Sequence, residues 1–196
     1  MKPVARVVGR GLPLDRANVD TDQIIPAHWL KRIERTGYRD GLFEAWRRDP
    51  PFVLNQPQYR GASILIAGPN FGSGSSREHA VWALQENGFE AVIAPSFADI
   101  FRNNAAKTGL LAVELPNDTV TRLTRSVETE PSILIMIDVA TRTVMAPAIT
   151  ATFPLDEHTQ HRLLNGLDDI DLTLRHEDAI TAYEKRRPEW LPRVQP

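Results

Sequence analysis

The sequence predicts an α/β domain, on three observations. Short apolar runs at residues 63–67, 91–94 and 109–115 have the length and composition of buried strands. Two segments with helical spacing separate these runs, and a glycine-rich loop joins the first run to the first of these helices. Strands that alternate with helices indicate a parallel sheet covered by helices, and such sheets bind ligands at the carboxyl ends of their strands.

The region before the first run is predicted to begin with an edge strand at residues 3–9, followed by a turn at residues 9–11. Residues 18–26 (NVDTDQIIP) are expected to form a tight loop, because short acid and amide side chains bond to nearby backbone groups. After a basic segment at residues 28–35, residues 36–51 indicate a loop, a short helix and a stop at two prolines.

The loop at residues 68–80 (GPNFGSGSSREHA) is the stretch that indicates a ligand. Its three glycines allow positive φ and close approach of the backbone, and the helix that follows offers unpaired N–H groups and partial positive charge. Ser75 and Glu78 have the spacing of a capping box, with Ser76 as the alternative cap. Arg77 then falls in the first helical turn, where a cation is unfavourable unless an anion lies beside it. The pattern therefore predicts an anionic ligand.

Two nucleotide-binding patterns do not fit this loop. It lacks the third glycine of the Rossmann fingerprint, and no Gly-Lys-Ser/Thr follows, as a Walker loop requires. Two hydroxyls and a guanidinium at a helix N-terminus suit a small carboxylate instead. A purely structural loop remains the alternative, since glycine loops are common between strands and helices.

The second helix is predicted to start at a cap formed by Ser96 with Asp99 and to end with Lys107 and Gly109. Its apolar face is expected to carry Phe97, Ile100, Phe101 and Ala105. The polar residues Arg102, Asn103 and Asn104 either reach the ligand or form an outer helix face.

The remainder is predicted to form a hairpin within residues 132–148 and two helices, one from residue 158 and one at residues 178–187. We see no linker that would divide the chain, so a single domain is predicted over residues 1–196. Its motif-bearing core covers about residues 3–115, and the hairpin and helical part cover about residues 130–190.

Composition limits the classes of partner and compartment. A net charge of −2 gives no bulk attraction to nucleic acid, and no apolar run approaches the roughly 20 residues of a membrane helix. No apolar signal core follows residues 1–6, so a cytoplasmic protein is expected. The chain has no cysteine, which excludes a disulfide scaffold, a thiol nucleophile and a thiolate-held iron–sulfur cluster within this chain.

No metal site is predicted in this chain. Asp20 and Asp22 supply too few oxygens for a calcium loop, and His158 and His161 lack a third ligand for zinc.

Three stretches, in the same order, resemble the swivelling domain of the aconitase superfamily. They are NVDTDQIIP at residues 18–26, NFGSGSSREHA at residues 70–80 and SFADIFRNN at residues 96–104. As a free-standing small domain, the chain most resembles the small subunits of 3-isopropylmalate dehydratases. The resemblance implies a three-layer swivelling β/β/α domain. Many members of the family have a cysteine where this chain has Ser73, a difference that concerns sensitivity to oxidants more than the chemistry.

The resemblance also implies a reaction and a site. The expected activity is that of a hydro-lyase subunit in leucine biosynthesis, which interconverts 2-isopropylmalate and 3-isopropylmalate by dehydration and rehydration. Ser75 is the implied catalytic base, while His79 is expected to pack rather than to react. The implied substrate-binding residues are Gly74, Ser76, Arg77, Thr21 and Asp22.

The segment at residues 28–35 varies with substrate in the family, so Leu30, Lys31 and Arg32 are expected to contact the substrate's substituent. Its basic residues otherwise form a solvated helix face. Because substrate choice depends on the poorly defined segment near residues 28–48, the small subunit of a homoaconitase or of a methylmalate-type (citraconate) hydratase is the alternative function. A non-catalytic carboxylate-binding regulatory module is the alternative from another class.

The resemblance further implies a partner subunit and a cofactor that this chain does not hold. A four-iron four-sulfur cluster is expected on a large subunit that pairs with this chain as a heterodimer or higher assembly, since this chain has no thiolate to hold one. The other expected partner is a small dicarboxylate substrate.

Overall fold

The computed structural model describes residues 1–188 and 190–191. Its centre is one seven-stranded sheet, in the order β4-β3-β2-β1-β5-β6-β7. The strands are β1 (Arg6–Pro13), β2 (Ile64–Ile66), β3 (Ala91–Ala94), β4 (Leu111–Glu114), β5 (Leu134–Asp138), β6 (Thr143–Ala146) and β7 (Ile149–Thr152). The prediction of an α/β domain is confirmed.

Eight α-helices are found in the described part of the chain. They are α1 (Thr21–Ile24), α2 (Glu44–Arg47), α3 (Glu78–Glu86), α4 (Asp99–Thr108), α5 (Asn117–Thr129), α6 (Glu157–Asn165), α7 (Asp169–Leu174) and α8 (Glu177–Arg186). Short 3₁₀ helices cover Ala27–Lys31, Arg39–Gly41, Val53–Asn55 and Pro57–Tyr59. Among these described elements, none is long and apolar enough to cross a membrane.

The sheet has a parallel half and an antiparallel half that meet at β1. Strands β1, β2, β3 and β4 pair in parallel, while β5, β6 and β7 continue from the other edge of β1 as an antiparallel meander. Helix α5 contacts β1, β2 and β3 and also β7 at the far antiparallel edge. The sheet must therefore curl around α5. Helices α3 and α4 pack against each other beside the parallel half.

The prediction of an edge strand that ends in a turn at residues 9–11 is wrong. Strand β1 continues through these residues and lies at the centre of the sheet. The glycine at position 11 serves close packing, because a Cβ there would lie 2.9 Å from both Ile66 Cδ1 and Val127 Cγ2. No side chain fits between β1 and α5 at this point.

Both predicted helix caps are also wrong. Helix α3 begins at Glu78, so Arg77 is its N-cap rather than a first-turn residue, and neither Ser75 nor Ser76 caps it. The N-cap of α4 is Ala98. Ile100, predicted to lie on the apolar face of α4, is 47% exposed, whereas Phe101 is buried. The predicted end of α4 is right, since Gly109 takes φ 84° after the last turn.

The C-terminal elements are partly as predicted. The hairpin of β5 and β6 and the helices α6 and α8 are present, but α5 and β7 were not predicted. Helix α5 buries Val120, Leu123 and Val127, whose spacing is helical and was available in the sequence. Residues 189 and 192–196, within the single domain predicted over the whole chain, lie outside the described residues.

Candidate active site

The loop between β2 and α3 packs against the segment that contains α1 and is hydrogen-bonded to it. We call residues 72–77 the serine loop. The N–H groups of Gly72 and Ser73 both donate to the carbonyl of Val19, at 2.7 and 3.2 Å, and the N–H of Thr21 donates to the Ser73 carbonyl at 2.8 Å. Asp20 begins α1 through a capping box with Gln23, which replaces the tight loop predicted there. The first two stretches that carry the resemblance are therefore in direct contact.

The third stretch joins from the other side of the loop. The N–H of Phe71 donates to the Ser96 carbonyl at 3.1 Å, and the N–H of Ala98 donates to the Phe71 carbonyl at 3.0 Å. The Ser96 hydroxyl accepts from the N–H of Asn70 at 2.9 Å, which explains why it does not cap α4. All three stretches therefore converge at the carboxyl end of β2, the place predicted for a ligand.

The serine loop needs glycine at two positions. Gly72 and Gly74 have φ of 78° and 90°, which side chains rarely adopt. A Cβ at position 72 would also collide with the Phe101 ring. The backbone of the serine loop can therefore take this path only with glycine at positions 72 and 74.

The exposed part of the loop presents unpaired backbone donors. Among the described residues, we find no acceptor for the N–H groups of residues 74–79. Ser75 and Ser76 are exposed beside them, and α3 begins directly after the loop. Consecutive N–H groups at a helix N-terminus bind anions, because they combine hydrogen-bond donors with the positive end of the helix dipole.

Arg77 is held in place at the edge of this surface. Its Nη1 and Nη2 donate to the two carboxylate oxygens of Asp22, at 2.5 and 2.8 Å, and Nη1 also donates to the Ile25 carbonyl at 3.2 Å. The Arg77 side chain is only 11% exposed, whereas Asp22 is 60% exposed. Asp22 therefore orients Arg77 within this chain, a pairing that no local sequence pattern predicts.

The side chains of Thr21 and Asn104 donate hydrogen bonds to the two exposed serines. Thr21, which is 2% exposed, donates from its hydroxyl to the Ser75 carbonyl at 2.9 Å. Asn104 on α4 donates to the Ser76 hydroxyl at 3.4 Å, so this member of the polar set does reach the site. Arg102 instead pairs with Asp99 and Glu114.

His79 is the second residue of α3 and packs as predicted. Its ring contacts Tyr38 and Trp82, with centroid distances of 5.2 and 4.8 Å. Its buried Nδ1 finds no hydrogen-bond partner among the described residues. Burial lowers the pKa of His79 below its ordinary value, so the ring is neutral at neutral pH.

Known proteins match both the sequence and the fold of this chain. The family model of the aconitase C-terminal domain covers residues 1–118, and the model of the C-terminal domain of the 3-isopropylmalate dehydratase small subunit covers residues 169–196. The chain is 57% identical to the 3-isopropylmalate dehydratase small subunit of Rubrobacter xylanophilus, over 99% of this chain and all of that one. This chain belongs to the 3-isopropylmalate dehydratase small-subunit family.

Other relatives agree with that assignment. The 3-isopropylmalate dehydratase small subunit of Frankia alni is 61% identical over 94% of both chains. The crystal structure of the 3-isopropylmalate dehydratase from Methanocaldococcus jannaschii matches with a TM-score of 0.64 at 26% identity, over 91% of this chain and 99% of that one. The predicted fold and the predicted family, an aconitase-type hydro-lyase subunit, are both confirmed.

The segment predicted to contact the substrate's substituent differs from the prediction in its secondary structure. The 3₁₀ helix ends at Lys31, and the basic residues beyond it lie on a loop at residues 32–37 rather than on a helix face. We call residues 32–37 the recognition loop. Arg32 bonds to the Gly37 carbonyl and lies 5.2 Å from the centre of the Trp29 ring.

Ile33 of the recognition loop is 96% exposed, while Leu30 before the loop is half-buried and Lys31 is exposed. The roles predicted for Leu30, Lys31 and Arg32 stay predictions.

The described residues of this family member contain no group of three or more His, Cys, Asp or Glu side chains that could hold a metal ion. The oxygens of Asp20 and Asp22 are used within the chain, the first in the cap of α1 and the second in the pair with Arg77.

Proposed function

We propose that this chain is the small subunit of a heteromeric 3-isopropylmalate dehydratase and contributes the serine loop to a shared active site. The observation that carries the proposal is the run of N–H groups at residues 74–79 for which the described residues supply no acceptor, beside two hydroxyls and a fixed guanidinium. The substrate proposed for it is the dicarboxylate pair 2-isopropylmalate and 3-isopropylmalate, which the names of the relatives suggest.

Arg77 can bind a substrate carboxylate without releasing Asp22. A guanidinium has five N–H groups, and three of those of Arg77 are used by Asp22 and the Ile25 carbonyl. The two that remain are the Nε–H and one N–H of Nη2, which lie on one edge of the planar group. That edge forms a second fork of the kind that matches a carboxylate.

Ser75 is the proposed base that removes the proton from the carbon next to the departing hydroxyl. A serine hydroxyl is a poor base, so its anion must be stabilised where it forms. The unpaired N–H groups of residues 74–79 and the start of α3 supply that stabilisation in a site closed to water by the other subunit. Thr21 fixes the Ser75 backbone, and Ser76 donates a hydrogen bond to a substrate oxygen in this proposal.

The proposed partner is a large subunit that carries a four-iron four-sulfur cluster, since this chain has no cysteine to hold one. When bound there, the cluster supplies a Lewis acid for the departing hydroxyl. The residues of this chain bind the carboxylate, orient it and move the proton at the adjacent carbon. The cytoplasm remains the predicted compartment, and a heterodimer or a higher assembly remains the predicted state.

The test uses the full chain reconstituted with a cluster-bearing large subunit. We expect isomerisation of 2-isopropylmalate and, in Ser75→Ala, a fall in kcat of at least about 10²-fold, the scale of a lost general base. The melting temperature should not change, because Ser75 is exposed and does not cap α3. Ser126→Ala, on α5 away from the site, is the matched control.

Unaltered turnover in Ser75→Ala would remove this serine from the mechanism. Turnover of homoaconitate or of a methylmalate in preference to 2-isopropylmalate would assign the chain to one of those alternative substrates. Binding of dicarboxylates without turnover by the reconstituted pair would support the regulatory module instead.

A further inference from the structure

A carboxylate at the end of α3 binds the last residue of the recognition loop and the two residues that follow it. Glu86 is the last residue of α3, and its Oε1 and Oε2 accept from the N–H of Gly37 at 2.9 and 3.1 Å. Its Oε2 also accepts from the N–H groups of Tyr38, at 2.6 Å, and Arg39, at 3.0 Å. We call this set of four hydrogen bonds the Glu86 clamp.

The clamp depends on an acceptor-only group. Three consecutive backbone N–H groups donate to Oε2 of Glu86 and the first of them also donates to Oε1, and an ionised carboxylate accepts at both oxygens. A glutamine has one oxygen and one NH₂ group, so its NH₂ would face N–H donors on one side. The geometry therefore distinguishes Glu from its nearest isostere.

A buried aromatic contact supports the same attachment. Tyr38 is fully buried, and its ring packs on His79 and Trp82 of α3, at centroid distances of 5.2 and 5.7 Å. The Tyr38 hydroxyl donates to the Glu34 carbonyl at 2.8 Å. The loop is thus tied to itself by Tyr38 and tied to α3 by Tyr38 and Glu86.

Helix α3 connects this attachment to the reacting end of the site. It begins directly after the serine loop and has nine residues, so it spans roughly 13 Å at 1.5 Å per residue. The helix therefore fixes the Glu86 carboxylate relative to the serine loop, and the Tyr38 ring contacts His79 near the start of the same helix.

We propose that Glu86 is a positioning residue that sets the discrimination between substituents on the substrate. It touches neither the substrate nor the reacting atoms. It holds the recognition loop, including the exposed Ile33, at a fixed distance from the serine loop, so that an isopropyl group is preferred to a smaller one. This inference rests on the proposed function for its kinetic effect, but the attachment itself can be measured without any reaction.

The first measurement is amide hydrogen exchange in the full chain, with Glu86→Gln compared with wild type. We expect the amides of residues 37–39 to exchange at least about tenfold faster in the variant, while those of β2 and β3 stay unchanged. Glu90→Gln, an exposed glutamate shortly after the same helix, is the matched control and should leave all of these rates unchanged. Equal rates at residues 37–39 in Glu86→Gln and wild type would overturn the clamp.

The second measurement uses the reconstituted pair with 2-isopropylmalate and 2-methylmalate. We expect kcat/KM for 2-isopropylmalate to fall at least about tenfold in Glu86→Gln, mainly through KM, and kcat/KM for 2-methylmalate to fall less than about threefold. An equal fall for both substrates would mean that Glu86 supports the site only in general and would overturn its role in discrimination. If the wild-type pair converts neither diacid, the proposed function fails, and the exchange rates alone then decide whether the clamp exists.

Discussion

Replacing Arg77 by lysine separates the geometry of this cation from its charge. In the wild type, the guanidinium makes two hydrogen bonds to Asp22 and one to the Ile25 carbonyl, and one edge of it is left for a carboxylate. A lysine ammonium is a point charge with no planar fork. It can keep one contact with Asp22 but cannot reproduce both the pair and the second fork.

The expected loss of stability follows from these bonds. One charge-assisted bond to Asp22 and one bond to the Ile25 carbonyl are lost, and Asp22 is 60% exposed, so the first is worth less than its buried value. Together they amount to about 1–2 kcal/mol. For a chain of this size, such a change lowers the melting temperature by roughly 2–8 °C. If the proposed bidentate contact with substrate exists, its loss adds at least about a tenfold fall in kcat/KM, which corresponds to about 1.4 kcal/mol.

The two effects are measured separately, by thermal unfolding of the full chain and by steady-state kinetics of the reconstituted pair. Arg125→Lys, on the exposed face of α5, is the matched control, and it should change neither quantity. A fall in kcat/KM of less than about tenfold in Arg77→Lys, with the melting temperature lowered as expected, would refute the bidentate contact with substrate. An unchanged melting temperature would refute the structural role of the Arg77–Asp22 pair.

Two more substitutions test the support around the serine loop. Thr21→Val keeps the shape of a buried side chain but removes the donor to the Ser75 carbonyl. We expect the free energy of unfolding to fall by about 1 kcal/mol, the melting temperature to fall by roughly 2–4 °C and kcat to fall. Full activity would show that this bond does not order the serine loop. Burial lowers the pKa of His79 below the ordinary 6.5, so on acidification the unfolded chain is protonated before the folded one. The contribution of neutral His79 to the free energy of unfolding is therefore complete above about pH 6.5 and is lost as the pH falls towards the folded pKa. His79→Phe should therefore flatten the dependence of the unfolding free energy on pH between about 7.5 and 5, as measured with denaturant, and parallel profiles for variant and wild type would contradict this.

The sequence predicted the structure correctly where one local pattern determines it. The apolar runs predicted β2, β3 and β4 because buried parallel strands need little except continuous apolar residues. The glycines of the serine loop predicted its shape, because positive φ is a property of single residues.

The sequence was misleading where a distant partner competes for a side chain. Ser96 has the spacing of a cap but accepts from Asn70, which lies on another loop. Arg77 was predicted in the first turn of α3 beside an anionic ligand, whereas it is the N-cap and pairs with Asp22, 55 residues away in the chain. The Glu86 clamp could not be predicted for the same reason, since its three donors lie 47 to 49 residues away.

The row of unpaired N–H groups at residues 74–79 has a practical consequence for the choice of buffer. Such a surface does not distinguish one small oxyanion from another by charge alone, so we expect phosphate and sulfate to compete with the proposed dicarboxylate for these donors, which have no acceptor among the described residues. Assays in phosphate would report an apparent Michaelis constant that rises with buffer concentration, whereas a zwitterionic amine buffer with chloride would leave the intrinsic value visible.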